Sequence, residues 1–375
     1  MFEFFLISIV LIALFIIEKH NIKIPIISKH NESLTLIIII AFFIIIMGGS
    51  SKNPDTIVYK NMYLMSSYTK NPGFGFLISM SKKIGLSIEI FRLIIAIIGI
   101  ILINSVVKKY LSKRYRILFY LFYFIYPFFI DIVQIRNFLS MSILIYALDT
   151  LIKGTLKSKF KYIFLILIAF SFHSMFILYL PLVFIDSLFN NNKFRYVIYL
   201  ILFFSLILFS NKNILNSVIY LLSPFLKSNL QDITHYISQS TNFGGYVRWG
   251  ISFLNIFLLK YSYKNLKSIN TNEKYLAYTK YVCWCNEYTL IFLPLSLITL
   301  DFYRIQRNLQ VMNYMIYIFE LSNIFHTRKY RENLLFIILL IFILFISFIF
   351  LFMIDNSLSN VIIAIFNNNW ILHRG

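Results

Sequence analysis

Arg136 lies in the run Asp131-Ile132-Val133-Gln134-Ile135-Arg136-Asn137, a polar cluster between two apolar stretches. An ionisable group at membrane depth costs about 2.5–3.5 kcal/mol or more unless it is paired or hydrated, so its default reading is functional. Two other runs carry similar residue types. Asn53-Pro54-Asp55-Thr56-Ile57-Val58-Tyr59-Lys60-Asn61-Met62-Tyr63 puts an acid and two tyrosines at i, i+4 and i+8, one side of a helix. Asp301-Phe302-Tyr303-Arg304-Ile305-Gln306-Arg307 places two arginines three residues apart. Arginine forks grip phosphate bidentately and aromatic faces stack on sugars, so these residue types suit an anionic, sugar-bearing ligand.

The elements that must position them are apolar. Hydrophobic residues make up 59% of the 375-residue chain and charged ones 13%, and runs able to cross a bilayer recur from Met1 to Phe352. The predicted class is all-α: a polytopic membrane protein forming a single domain over 1–375, with outer loops at 49–87 and 211–243. A net charge of +20 in a soluble chain would suggest nucleic acid. Here the basic residues crowd into short turns and set orientation instead. Lys108 to Arg116, Lys153 to Lys161 and Lys260 to Lys280 are therefore expected on the cytoplasmic side.

Threading follows from those turns. Helices are predicted at about 2–17, 34–48, 88–107, 116–130, 137–152, 196–210, 246–260, 281–300, 308–325 and 333–353. The first lacks the basic n-region and cleavage site of a signal peptide and is expected to be retained. The stretch 162–186 is long enough for one span, yet one crossing would put Lys260 to Lys280 outside. A break near Ser171-Phe172-His173-Ser174, sending the chain in and back as a re-entrant pair, restores the orientation. Irregular backbone at that depth must line protein or a water-filled cavity, so His173 is expected there. The total is about eleven or twelve crossings with both termini outside. Asp55, Tyr59, Tyr63, Gln134, Arg136, His173, Arg248, Arg304 and Arg307 are then expected at the outer face.

Other chemistry finds little footing. Cys283 and Cys285 are the only cysteines, and a C-x-C inside an apolar helix favours neither a disulfide nor a zinc site. The sequence has no H-E-x-x-H, P-loop or G-x-S-x-G motif, and no repeat like those of secondary transporters.

The order Asp55, Tyr59, Tyr63, then Asn71-Pro72-Gly73-Phe74, Gln134-Ile135-Arg136-Asn137, Phe172-His173-Ser174 and Phe302-Tyr303-Arg304-Ile305 resembles the EpsG-like branch of the Wzy polysaccharide polymerases. Phe138-Leu139-Ser140-Met141-Ser142 departs from the Gly- or Ala-rich helix usual there. The resemblance implies a glycosyltransferase in the bacterial cytoplasmic membrane. It would join undecaprenyl-diphosphate-linked oligosaccharide repeats at the outer face, in O-antigen, capsule or exopolysaccharide synthesis. It implies Asp55, Arg136, His173 and Arg304 as catalytic and Tyr59, Tyr63 and Gln134 as substrate-binding, and Arg248 and Arg307 are read from their residue type and placement as further substrate-binding cations. No metal or other cofactor is required, and the partners would be membrane lipid, a flippase and a chain-length regulator, with no nucleic acid.

Each residue also has a structural alternative. Arg136, Arg248 and Arg304 could be snorkelling anchors, His173 a packing residue, Asp55 a helix cap, and Tyr59 and Tyr63 interface-belt aromatics. His235 reads as an exposed loop residue. The rival activities are a lipid-linked glycan flippase or other transporter, a sugar ligase and a membrane acyltransferase. A transporter should carry charges along a central path, whereas these charges gather at one face.

Overall fold

The computed structural model describes residues 2–19, 31–65, 71–190, 192–210, 217, 242–269, 273–297, 300–353 and 358–373. The expected loop at 211–243 and His235 fall almost wholly outside them. The described chain is helical, with one isolated β-bridge between Ser50 and Asn369. Among the described residues one helix, Ile88–Tyr110, is long and apolar enough to cross a membrane by length and composition. Shorter apolar helices cover Leu34–Gly49, Ser174–Phe189 and Leu334–Ile349. The chain divides into two compact units, one formed by Met1–Val183 with Tyr314–Gly375 and the other by Phe184–Asn313.

The first unit begins with α1 (Phe2–Lys19) and α2 (Asn31–Gly49), then two short helices, α3 (Thr56–Met65) and α4 (Pro72–Lys83). The long α5 (Ile88–Tyr110), α6 (Lys113–Ile125), α7 (Phe128–Val133), α8 (Ile135–Leu151) and α9 (Leu156–Phe172) follow. Helix α5 packs against α2 on one side and α8 on the other. Small residues permit both approaches. A Cβ at Gly48 would come within 2.6 Å of Leu93, and one at Gly99 within 2.2 Å of the Phe138 ring. The C-terminal ends of α5 and α8 are pinned by Asp149, which accepts from Tyr110 Oη at 2.8 Å and pairs with Lys109. Aromatic rings lock α6 and α7 to α2: Phe43 lies 4.5 Å from Phe128 and stacks on Tyr123 at 5.8 Å. Tyr123 Oη in turn donates to the fully buried Asp131 at 3.0 Å.

The second unit holds α10 (Ile185–Phe189), α11 (Asn192–Ser210), α12 (Asn242–Ser268), α13 (Glu273–Thr289), a 3₁₀ stretch over Leu290–Leu297 and the short α14 (Arg304–Arg307). Its buried Glu287 takes Arg195 at 3.0 Å and Lys260 at 2.6 Å, which binds α11, α12 and α13 together. Cys283 and Cys285 are buried free thiols in α13. The chain then runs through α15 (Gln310–Thr327) and α16 (Leu334–Met353) to a last turn, α17 (Ala364–Asn367).

Three features differ from the sequence expectation. The gap expected between helices at 116–130 and 137–152 is mostly helical, because Asp131 to Val133 belong to α7 and the break is confined to Gln134. The break near 173 is present, but its first limb is the full 17-residue α9, about 25 Å long, instead of a half-span. The returning limb is a 3₁₀ helix, Ser174–Phe184, and Tyr162 Oη donates across to Tyr179 O at 2.6 Å. Third, the expected outer tail is docked within the first unit. Asn369 is fully buried and donates to Ile45 O at 3.1 Å, while Trp370 N donates to Gly49 O and Ser51 N to Asn368 O, each at 2.9 Å. Gly49 is required there, since a Cβ would fall 2.0 Å from Asn369 Oδ1.

The docked tail sets where the chain leaves α2 toward Asp55, and Phe366 also touches Phe129 of α7 at 6.0 Å. Asn369→Ala should remove the bond to the Ile45 carbonyl and leave the Ile371 and Leu372 amides without the Asn369 Oδ1 acceptor, at a cost of about 1–3 kcal/mol. We expect a lowered melting temperature for the detergent-purified variant and a larger drop for Gly49→Leu. An unchanged melting temperature in both would show that the tail does not brace this end of α2.

Candidate functional site

A continuous helix through residues 128–151 would carry a hydrogen bond from the Arg136 N–H to the Ile132 carbonyl. Gln134, with φ −98° and ψ 55°, interrupts it. Its own N–H closes α7 on Ile130 O and its carbonyl opens α8 by accepting from Phe138 N, both at 2.9 Å. The separated groups at 132 and 136 must find other partners, because an orphaned buried amide or carbonyl is costly. Arg92 Nη2 donates to Ile132 O at 3.2 Å. The Arg136 N–H donates to the Tyr59 hydroxyl, whose pKa is pushed up by burial and drawn back by the Arg136 charge. The break therefore gathers side chains from α3, α5 and α8 around one point.

Helix α3 supplies the two tyrosines one turn apart, and Asp55 sits immediately before its first residue. Capping of this helix is handled by its neighbours: Asn53 N donates to Thr56 Oγ1 at 2.8 Å and Asn53 Oδ1 accepts from Asp55 N at 3.2 Å. The Asp55 carboxylate is half-buried and acts electrostatically on Tyr59 and Arg92. Tyr59 and Tyr63 are buried to 8% exposure. The Tyr59 ring packs against Phe74 at 6.2 Å and lies beneath the Arg92 guanidinium at 6.0 Å. Tyr63 packs on Phe91 at 5.8 Å and donates to Leu86 O at 2.6 Å, which places it in the support of the site.

His173 ends α9 in an extended conformation and is buried. Its Nδ1 accepts from Met175 N at 3.4 Å. The Asn71-Pro72-Gly73 turn clasps this break: Asn71 Oδ1 accepts from Ser174 N at 3.0 Å, and a Cβ on Gly73 would reach 2.1 Å from Ser171 Oγ. Phe74, next in the chain, touches Tyr59. The two sequence motifs around Asn71 and His173 thus meet each other and abut the α3 cluster.

The second unit has its own cationic group. Arg248 of α12 lies over the Tyr303 ring at 5.4 Å, and Arg304 and Arg307 occupy the two ends of α14, with Arg307 buried. Between the helices is a ladder of buried amides. Ser252 donates to Gln306, Gln306 Nε2 donates to Thr289 O at 3.2 Å, and Gln310 Nε2 donates to Asn255 Oδ1 at 3.4 Å. Asn286 and Asn313 exchange bonds of 2.8 and 3.1 Å. Tyr303, Ser252, Asn255, Asn286 and Gln306 line a small polar cavity. Neutral amides inside an apolar bundle fix helix register without the desolvation cost of charges. The structure brings Asp55, Tyr59 and Arg136 together in one unit and Arg248, Arg304 and Arg307 in the other.

Sequence reasoning passed over Arg92. Its signal was available, a lone arginine one turn into the apolar run of α5, and burial to 4% exposure excludes a lipid-facing anchor. It also missed the amide ladder, whose members are spread from 252 to 313 and share no local pattern. Among the described residues, no group of three or more His, Cys, Asp or Glu side chains could hold a metal ion.

A sequence model of the EpsG family matches residues 33–367. Comparisons with curated proteins and with solved structures return no match. The family match covers most of the chain, and it includes the α3 cluster, the Gln134 break, the His173 turn and the α14 arginines. The chain belongs to the EpsG family, a family of Wzy-like polymerases.

Proposed function

We propose that this protein is a polysaccharide polymerase of the cytoplasmic membrane that joins undecaprenyl-diphosphate-linked oligosaccharide repeats at the outer face. The observation that carries the reading is the Asp55, Tyr59 and Arg136 cluster around the Gln134 break, in a chain whose family makes it a membrane protein of polysaccharide biosynthesis. In this reading an acceptor hydroxyl attacks the anomeric carbon of the growing chain. The new C–O bond forms as the bond to the lipid diphosphate breaks, and the diphosphate leaves as an anion. Asp55 takes the hydroxyl proton, with His173 as the second candidate base. Arg136 and Arg304 bind the diphosphates of the donor and acceptor lipids, and electrostatic stabilisation of a leaving diphosphate of this kind is usually the largest source of rate enhancement. Gln134, Tyr59, Tyr63, Arg248 and Arg307 shape and hold the substrates. The proposed architecture is about eleven or twelve crossings, including the pair broken at His173, with Arg136 and Arg304 outside. A flippase and a chain-length regulator are the proposed partners.

In a strain lacking the chromosomal gene, lipid-linked single repeats should accumulate, whereas long unattached chains would point to a ligase. Arg136→Lys or Arg304→Lys keeps charge but loses the bidentate fork, and each should cut polymer at least tenfold at constant protein level. Normal polymer in both would reduce the arginines to anchors.

Asp55→Asn should abolish polymerisation while lipid-linked substrate still binds. The Asn53–Thr56 cap is untouched by this change, so survival of activity would remove Asp55 as the base. His173→Gln provides the parallel measurement, since an amide retains one hydrogen bond of a packing histidine but cannot accept a proton near neutral pH.

Cysteine-accessibility labelling checks the orientation. Positions 136 and 304 should react from outside and position 113 from the cytoplasm. Labelling of 136 from the cytoplasm alone would sink the proposed site.

A further inference from the structure

We infer that Arg92 is a phosphate-binding residue, and that its ligand is the diphosphate of the lipid-linked substrate; this rests on the polymerase reading above. An arginine carries five N–H donors in a rigid fork and cannot shed its charge to escape burial. In Arg92, Nη2 meets the Ile132 carbonyl at 3.2 Å, but Nε and Nη1 are buried with no hydrogen-bond partner among the described residues. With the side chain at 4% exposure, bulk water cannot satisfy them. Asp55 and Glu89 act on the guanidinium electrostatically, yet neither closes on those two nitrogens.

A purely structural strut would not need this residue. One bond to a carbonyl could come from a neutral amide, without the cost of burying a charge. A guanidinium held in place at one edge and unsatisfied at the others is instead prepared for a ligand with several acceptor oxygens and negative charge. The surroundings favour phosphate over a sugar hydroxyl. The Arg92 guanidinium lies over the Tyr59 ring, and the Arg136 charge also acts on that phenol, so a second guanidinium stands in the neighbourhood of the first. Two forks so placed suit an anion with two acceptor groups, which a diphosphate presents and a single hydroxyl does not.

Depth favours the same ligand. Arg92 is four residues beyond the first residue of α5, about 6 Å along the helix axis. Ser87, the N-cap, accepts from Ile90 N at 3.3 Å and fixes that entry. If α5 crosses the membrane as proposed above, its first turns lie near the headgroup level, where a polyprenyl diphosphate carries its phosphates.

Purified wild-type, Arg92→Gln and Arg92→Lys proteins in phosphatidylcholine nanodiscs, titrated with farnesyl diphosphate, farnesol and inorganic pyrophosphate, test this. Wild type should bind farnesyl diphosphate and not farnesol. Arg92→Gln should bind it at least tenfold more weakly and Arg92→Lys should fall between, at unchanged elution volume. If Arg92→Gln does not fold, Arg92→Lys carries the comparison because it retains charge and stem. Wild-type affinity in either folded variant would overturn the assignment and leave the polymerase reading standing. Failure of the wild type to bind farnesyl diphosphate would overturn both. Pyrophosphate binding as tightly as the lipid diphosphate would overturn the lipid-linked source and point to free phosphate.

Discussion

One missing hydrogen bond organises the first unit. The helix that would join residues 128 and 151 breaks at Gln134, and the amide of Arg136 and the carbonyl of Ile132 separate. In an apolar bundle neither can be left to solvent, so each recruits a side chain from another helix. Arg92 answers from α5 and Tyr59 from α3. The break that would otherwise weaken a helix thereby becomes the junction of three, and the groups that satisfy it are the ones with chemistry to offer.

The rest of the unit holds that junction in register. Glycines at 48 and 99 let α2, α5 and α8 approach closely enough for Arg92 to reach the α7 carbonyl. The Asp149 pair pins the other ends of α5 and α8, so rotation of either helix is resisted at both ends. The docked tail fixes the exit of α2 and contacts α7, and the Asn71 turn braces the His173 break. Pre-organisation of this kind is what electrostatic stabilisation of a leaving anion needs, since a guanidinium that must first reorient forfeits much of its effect.

The second unit uses different means to a related end. Its arginines gather by stacking on Tyr303 and by the three-residue spacing across α14, while the helices behind them are registered by amides. Glu287 absorbs two cations at once, so Arg195 and Lys260 serve structure there.

The sequence by itself determined the helical class and most helix positions, because apolar runs leave the backbone no partner but itself. It also marked Arg136, Asp55, Tyr59 and His173, since ionisable or polar side chains beside such runs are costly enough to stand out. The i, i+4 spacing placed Asp55, at the entry to α3, one turn before Tyr59 without any tertiary information. Tertiary structure decided which of them meet. Arg92 and Ile132 are 40 residues apart, and Asn369 and Ile45 are 324 apart, so no local pattern could pair them. An interruption between 130 and 137 was legible in the polar run, but its narrowing to Gln134 was not, because glutamine has no strong helix-breaking tendency and the break sits where other helices supply the hydrogen bonds it gives up.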